Sequence, residues 1–238
     1  MDVSKSTGLV LLAGIVGYLL GGGTHAQNPL RSIGSVSAAA PLPKDIYADS
    51  RNRLPLPRRE DMDDYGKQVF DEVTRPEPLP GTPQPSFRLY SPKLAKPMGE
   101  AHYYVKYETG LSQRLLEIAV LVTAREMGCQ YEWTQWETHG RDLNDPRHIE
   151  PGLIDVIKYN KPLAGLGEKE AAVIAFGREM FGQRKVSSTT FAEVLRLFGR
   201  RGTVDLVELM SLYSATAAEV SAFDVQLKEG QKPLLPPQ

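Results

Sequence analysis

Thiols are almost absent from this sequence, with Cys129 the single cysteine in 238 residues. An intramolecular disulfide and a CxxC metal or redox pair both need a second thiol, so both are excluded. An excess of one charge is lacking too. Lys and Arg number 28 against 29 Asp and Glu, a formal net charge of −1. That balance offers a phosphate backbone nothing to bind, and no nucleic-acid partner is expected. Strand signals of alternating Val, Ile and Thr are missing beyond Ser91, where apolar residues instead recur at spacings of three and four. The expected fold class is all-α, a compact helical bundle with one core and an extended N-terminal arm.

Three parts are expected along the chain. Residues 1–26 carry the apolar run Gly8 to Leu20, of signal-peptide length and short for a bilayer, which needs about 20 residues. The run breaks at Gly21-Gly22-Gly23, and Thr24-His25-Ala26 places small residues before a cleavage that would leave Gln27 first. Export to the periplasm or medium is the expectation. With one lysine, Lys5, beside Asp2, an uncleaved membrane anchor is the alternative. Residues 27–59 are rich in Pro and Ser and read as a linker that docks only locally. Residues 60–238 form the helical domain.

Within that domain a short helix is expected in "EDMDDYGKQVFDEV", followed by an irregular loop in "TRPEPLPGTPQPSF", whose prolines rule out a helix interior. Ser112 caps "QRLLEIAVLVTAREMG", a nearly all-apolar helix ended by Gly128, and the next helix starts near Cys129. Glu150 to Tyr159 and "GEKEAAVIAFGREMFGQ" give two more. A capping box of Thr190 and Glu193 opens "FAEVLRLFG", and Thr203 begins the last helix.

The candidate site lies in "EMGCQYEWTQWETHG". Cys129, Glu132, Trp133 and Trp136 are three, four and seven apart and share one side of a helix, with His139 seven after Glu132. Glu117 sits on the preceding apolar helix. Buried there, its carboxyl favours the protonated form unless a partner compensates, which is how a general acid works near neutral pH. A functional Glu117 is expected to open onto a cavity, within hydrogen-bond reach, about 2.6–3.2 Å, of a polar group on the Cys129 to His139 helix or of an ordered water; a merely structural one is expected as half of a buried ion pair. Each residue has a structural reading as well: Cys129 as a small buried hydrophobe, the tryptophans as packing, His139 as a helix-end cation.

"RLLEIAVLVTAREMGCQYEWTQWE" resembles the core signature of the carboxymuconolactone decarboxylase family, whose all-helical fold is shared with alkyl hydroperoxide reductase D-like proteins. The resemblance implies that Glu117, twelve residues before Cys129, is a proton-relay glutamate. It also implies a homo-oligomer. Peroxidase members carry CxxC and a histidine four residues after the second cysteine, positions held here by Glu132 and Trp136. No resolving thiol exists, so an intramolecular peroxidase cycle is excluded. His139, three residues past the histidine position, is the candidate replacement.

The chemistry then expected is that of a cofactor-free lyase or proton-transfer enzyme acting on a small cyclic or aromatic-derived acid, with no metal. Glu117 donates a proton, Glu132 orients or exchanges it, and Trp133 with Trp136 walls an apolar pocket. Arg114 or Arg125 anchors the substrate carboxylate. Two other readings stand beside it: a single-cysteine, peroxiredoxin-type thiol peroxidase, and a non-catalytic helical binding or assembly protein.

Overall fold

Residues 41–74 and 86–237 are described by a computed structural model of the chain. The apolar run at Gly8 to Leu20, the Gln27 cleavage point and most of the proline-rich loop after Thr74 lie outside the described residues. In chain order the helices are α1 (Asp64–Thr74), α2 (Pro92–Tyr107), α3 (Gln113–Glu126), α4 (Gln130–Arg141), α5 (Pro151–Lys158), α6 (Glu168–Gly177) and α7 (Ser188–Ala222). Among the described residues there is no strand, only a lone bridge between Tyr47 and Asn52. The fold is all-α.

α3 is the axis of the bundle, and its sequence explains why. The Ser112 side chain accepts the Leu115 amide at its start, and Gly128 takes a φ of 62° just beyond its end, a left-handed turn that glycine makes at little cost. Every residue from Leu116 to Ala124 is buried. With no polar face to show to water, this helix must be covered all round. α4, α6 and α7 pack on it, α5 closes against α3 and α4, α2 lies on α7, and α1 lies on α2. Each large aliphatic side chain buried this way contributes roughly 1.5–3 kcal/mol.

Three boundaries differ from the expectation. α7 opens at Ser187, whose hydroxyl accepts the Thr190 amide at 3.2 Å, rather than at a Thr190–Glu193 box. Glu179 decides this by accepting from the Ser187 amide at 2.6 Å and the Thr190 hydroxyl at 2.6 Å, a contact between distant turns. The two expected C-terminal helices are fused into α7 with a break at Gly199, where φ is 68° and ψ 178°. The expected helix through Gln183 passes from α6 into a wider π turn at Arg178–Gly182. The arm that enters the domain lies along the end of α7, where the Arg53 amide donates to Phe223 O and the Gln226 amide to Arg51 O, at 2.9 and 2.8 Å.

Candidate functional site

Glu117 is wholly buried in the middle of α3, and neither carboxyl oxygen has a hydrogen-bond partner among the described residues. The expected polar partner on α4 is therefore not met. α4 presents the bare backbone of Gly140 here instead, so close that a Cβ on it would lie 3.3 Å from Glu117 Oε1. Burial pushes the Glu117 pKa up to about 8, with Arg147 and Lys106 pulling it down and Asp145 pushing it up. At neutral pH the group is mostly a neutral acid, which is how an unpaired carboxyl tolerates an apolar helix.

The charges that act on Glu117 come from two other places. After α4, the Asp142 amide donates to His139 O and the Ile149 amide to Gly140 O, folding residues 142–148 back beside the end of the helix. Asp145 in this loop accepts from the Arg147 amide at 2.9 Å and from its guanidinium at 2.8 and 2.5 Å. That hydrogen bonding holds Asp145 down to a pKa of about 2. Arg147 Nη1 lies 3.2 Å from His139 Nδ1. A guanidinium has no acceptor atom, so His139 Nδ1 accepts and the ring carries its proton on Nε2. Burial and Arg147 both lower the His139 pKa and keep the ring neutral.

Trp136 is the surface on which these groups meet. The Arg147 guanidinium lies 5.6 Å from its ring centroid and the Lys106 ammonium, from the end of α2, 5.3 Å. Tyr213 of α7 meets the same ring edge-on at 5.2 Å and 88°, and His139 does so at 6.1 Å. The indole Nε1 donates to Glu132 at 3.1 Å, and burial raises the pKa of that carboxyl. Four helices and one loop thus bring a buried acid, a second carboxyl, two cations and two aromatic rings together.

By sequence, no family model matches the chain and no curated protein matches it. Solved structures do match its shape. One is a protein of unknown function from Agrobacterium tumefaciens, described as a putative antioxidant defence protein AhpD. It is 15% identical with a TM-score of 0.52, over 59% of this chain and 94% of that one. Another is the debrominase Bmp8, at 15% identity and TM-score 0.55 over 73% and 90% of the two chains. A third is an uncharacterised peroxidase-related protein with an AhpD core from Ralstonia eutropha JMP134, at 14% and 0.53 over 77% and 98%. This chain has the AhpD-like fold. At such identities the likeness speaks to the fold alone.

Within this AhpD-like fold, Glu117, Trp136 and His139 gather around Lys106 and Arg147, while Glu132, bonded to Trp136, is acted on by Lys106 and Arg88. Four other expected residues do not join them. Trp133 turns toward α5, where its Nε1 donates to Glu137 and the Lys158 ammonium stands 5.6 Å from its ring, so it is core rather than pocket wall. Arg114 is held by Glu170 and Glu150 at 2.7 and 2.5 Å, and its charge is spent there instead of at Glu117. Arg125 donates to the backbone of Lys158. Cys129 packs with Ala217 and Val220, and burial pushes its thiol up to about 11 against the opposing effect of the Glu132 and Tyr131 amides at the helix start. A thiol so held stays protonated and is a poor nucleophile.

Sequence reasoning missed Lys106, Arg147, Tyr213 and the buried Glu137. Only Glu137 left a local signal: Arg141 stands four residues on and donates to it at 2.8 and 2.5 Å, and Lys158 adds a bond of 2.7 Å. Among the described residues no group of three His, Cys, Asp or Glu side chains is gathered in a way that could hold a metal ion.

Proposed function

We propose that this protein is a cofactor-free lyase or related proton-transfer enzyme that decarboxylates a small unsaturated cyclic acid, with Glu117 as its proton donor. The observation that carries this reading is the state of Glu117: fully buried, both oxygens without partners, and raised to about 8. A purely structural carboxyl at such a position is normally hydrogen-bonded or paired. In the proposed step the bond between ring carbon and carboxylate breaks, carbon dioxide leaves, and the electron pair passes into the conjugated ring toward its carbonyl oxygen. The Glu117 O–H then protonates the carbanionic carbon, and the carboxylate left behind is reprotonated from solvent. Lys106 and Arg147 stabilise the negative charge that develops on the substrate.

The solved complex of a cysteine-to-alanine variant of Bmp8 with 2,3,4-tribromopyrrole supports a small planar ring as ligand for this type of scaffold. The single-cysteine peroxidase reading has less support, because the Cys129 thiol is buried and shifted away from the thiolate. Export through the Gly8 to Leu20 run belongs to the proposal and rests on the sequence, and assembly into a homo-oligomer belongs to it and rests on the family resemblance.

Glu117→Gln tests it. The amide keeps the shape but cannot cycle a proton, so release of carbon dioxide from an unsaturated lactone acid should fall by about 100-fold or more with the helical circular dichroism intact. Wild-type turnover by the variant would end the catalytic assignment.

A further inference from the structure

We infer that Asp145 is a positioning residue: it holds the Arg147 guanidinium on the Trp136 ring and the His139 imidazole, away from the Glu117 carboxyl. This rests on the proposed reading of Glu117 as the acid and names what keeps it one.

The loop that carries both residues is pinned beside Glu117. The Ile149 amide donates to Gly140 O at 3.0 Å, and a Cβ on Gly140 would stand 3.3 Å from both Ile149 Cγ1 and Glu117 Oε1. Arg147 lies two residues before Ile149. Burial raises the Glu117 pKa, and among the charges around the carboxyl Arg147 acts most, pulling it down. A guanidinium fork matches a carboxylate, so an arginine near an unpartnered buried carboxyl ordinarily pairs with it. Here it does not. Both Glu117 oxygens are without a partner, and the fork is turned the other way.

Asp145 turns it. Its Oδ1 accepts the Arg147 amide at 2.9 Å, which fixes the carboxylate against its own loop, and the two oxygens then take Nε at 2.8 Å and Nη2 at 2.5 Å. With the fork so set, Nη1 falls 3.2 Å from His139 Nδ1 and the guanidinium 5.6 Å from the centre of the Trp136 ring. The side chains of Arg147 and Asp145 are 25% and 15% exposed, so water competes weakly for these bonds. Asp145 thereby acts on Glu117 twice in one direction: its charge pushes the carboxyl pKa up, and its grip limits how far Arg147 pulls it down. The other groups facing Glu117 are Lys106 from α2, which pulls down, and the Tyr213 phenol from α7, which Glu117 itself pushes up. Released from Asp145, the guanidinium has the unpartnered Glu117 to turn to. A paired Glu117 would ionise and cease to donate a proton.

Carbon-13 NMR titration of the Glu117 carboxyl in the full chain, with the signal assigned by its loss in Glu117→Gln, tests the inference through a double-mutant cycle. Asp145→Asn should lower the titration midpoint by about one pH unit or more while Arg147 is present. In an Arg147→Met background, where there is no guanidinium to release, the same change should lower it by much less. An unchanged midpoint would overturn the inference. So would an equal fall in both backgrounds, because Asp145 would then act through its charge alone. The wild-type chain gives a second reading that stands even if a variant fails to fold: the Arg147 Nε proton should exchange slowly with water, and exchange as fast as that of free arginine would also overturn it. A wild-type midpoint near the ordinary 4.5, or undiminished turnover in Glu117→Gln, would sink the proton-donor reading, and the comparison of the two backgrounds would still decide the role of Asp145.

Discussion

Glu117 is a single carboxyl that the fold prefers to keep protonated, and the preference has a thermodynamic sign. Its folded pKa of about 8 stands above the ordinary 4.5, so between those values the folded chain holds a proton that the unfolded chain has lost. Its contribution to stability is greatest below pH 4.5, declines through that window, and levels off above about 8, a loss of a few kcal/mol. Glu117→Gln has no such titration. Thermal melts of both proteins from pH 4 to 9 should show the difference between them shifting in favour of the variant as pH rises, with the variant the more stable at pH 9, since a buried neutral amide costs less than a buried unpaired charge. A difference independent of pH would mean that the carboxyl ionises freely in the fold. Turnover should decline through the same upper limit, because only the protonated form donates.

At the scale of the helix, contacts are set by what the backbone can approach. α6 crosses α3 at Gly177, where a Cβ would lie 2.6 Å from Val122 Cγ1 and 3.1 Å from its Cγ2, both on a fully buried residue. Gly177→Ala should therefore cost about 1–3 kcal/mol in a denaturant titration, by forcing two packed helices apart. Gly152→Ala in α5 is the contrast. Nothing lies within 4 Å of its added methyl, so the change should be neutral or mildly stabilising. Equal losses at the two positions would refute the close crossing. The same scale explains what the sequence could tell. The apolar run of α3, the Ser112 cap and the Gly128 stop are local signals, and the helix they announce is the one observed. Trp133 and Trp136 shared one side by spacing, yet a helix side about 60° wide faces two neighbours, and α5 took one ring while α2 and α7 took the other. Lys106 and Arg147 lie on segments that no spacing rule ties to Glu117, and only the packing of α2 and the turn after α4 brings them there.

Across the whole molecule, the chain closes on itself at the far end of α7. A helix leaves its last carbonyls without partners, and here Arg53 answers from the entering arm, donating to Ala222 O at 3.0 Å through its guanidinium and to Phe223 O at 2.9 Å through its amide. Arg51 donates to Leu227 O at 2.9 Å, and the Gln226 amide returns a bond to Arg51 O. The tail after α7 then runs along α4, where the Leu234 amide donates to Thr134 and Leu235 is buried in the core. Arm, helix end and tail are thus one continuous structure, which ties the last helix, bearer of Tyr213, to the helix that carries Trp136. Hydrogen bonds of this kind each contribute about 0.5–1.5 kcal/mol net, and ordering the arm offsets part of that. A chain beginning at residue 58 should therefore melt roughly 3–8 °C below one beginning at residue 41, given about 2–4 °C per kcal/mol for a domain of this size. The shorter chain should also lose protection from hydrogen exchange first at the Gln226 amide, because its acceptor, Arg51 O, is removed. Coincident melting curves, or exchange unchanged at that amide, would show that the arm rests on the domain without supporting it.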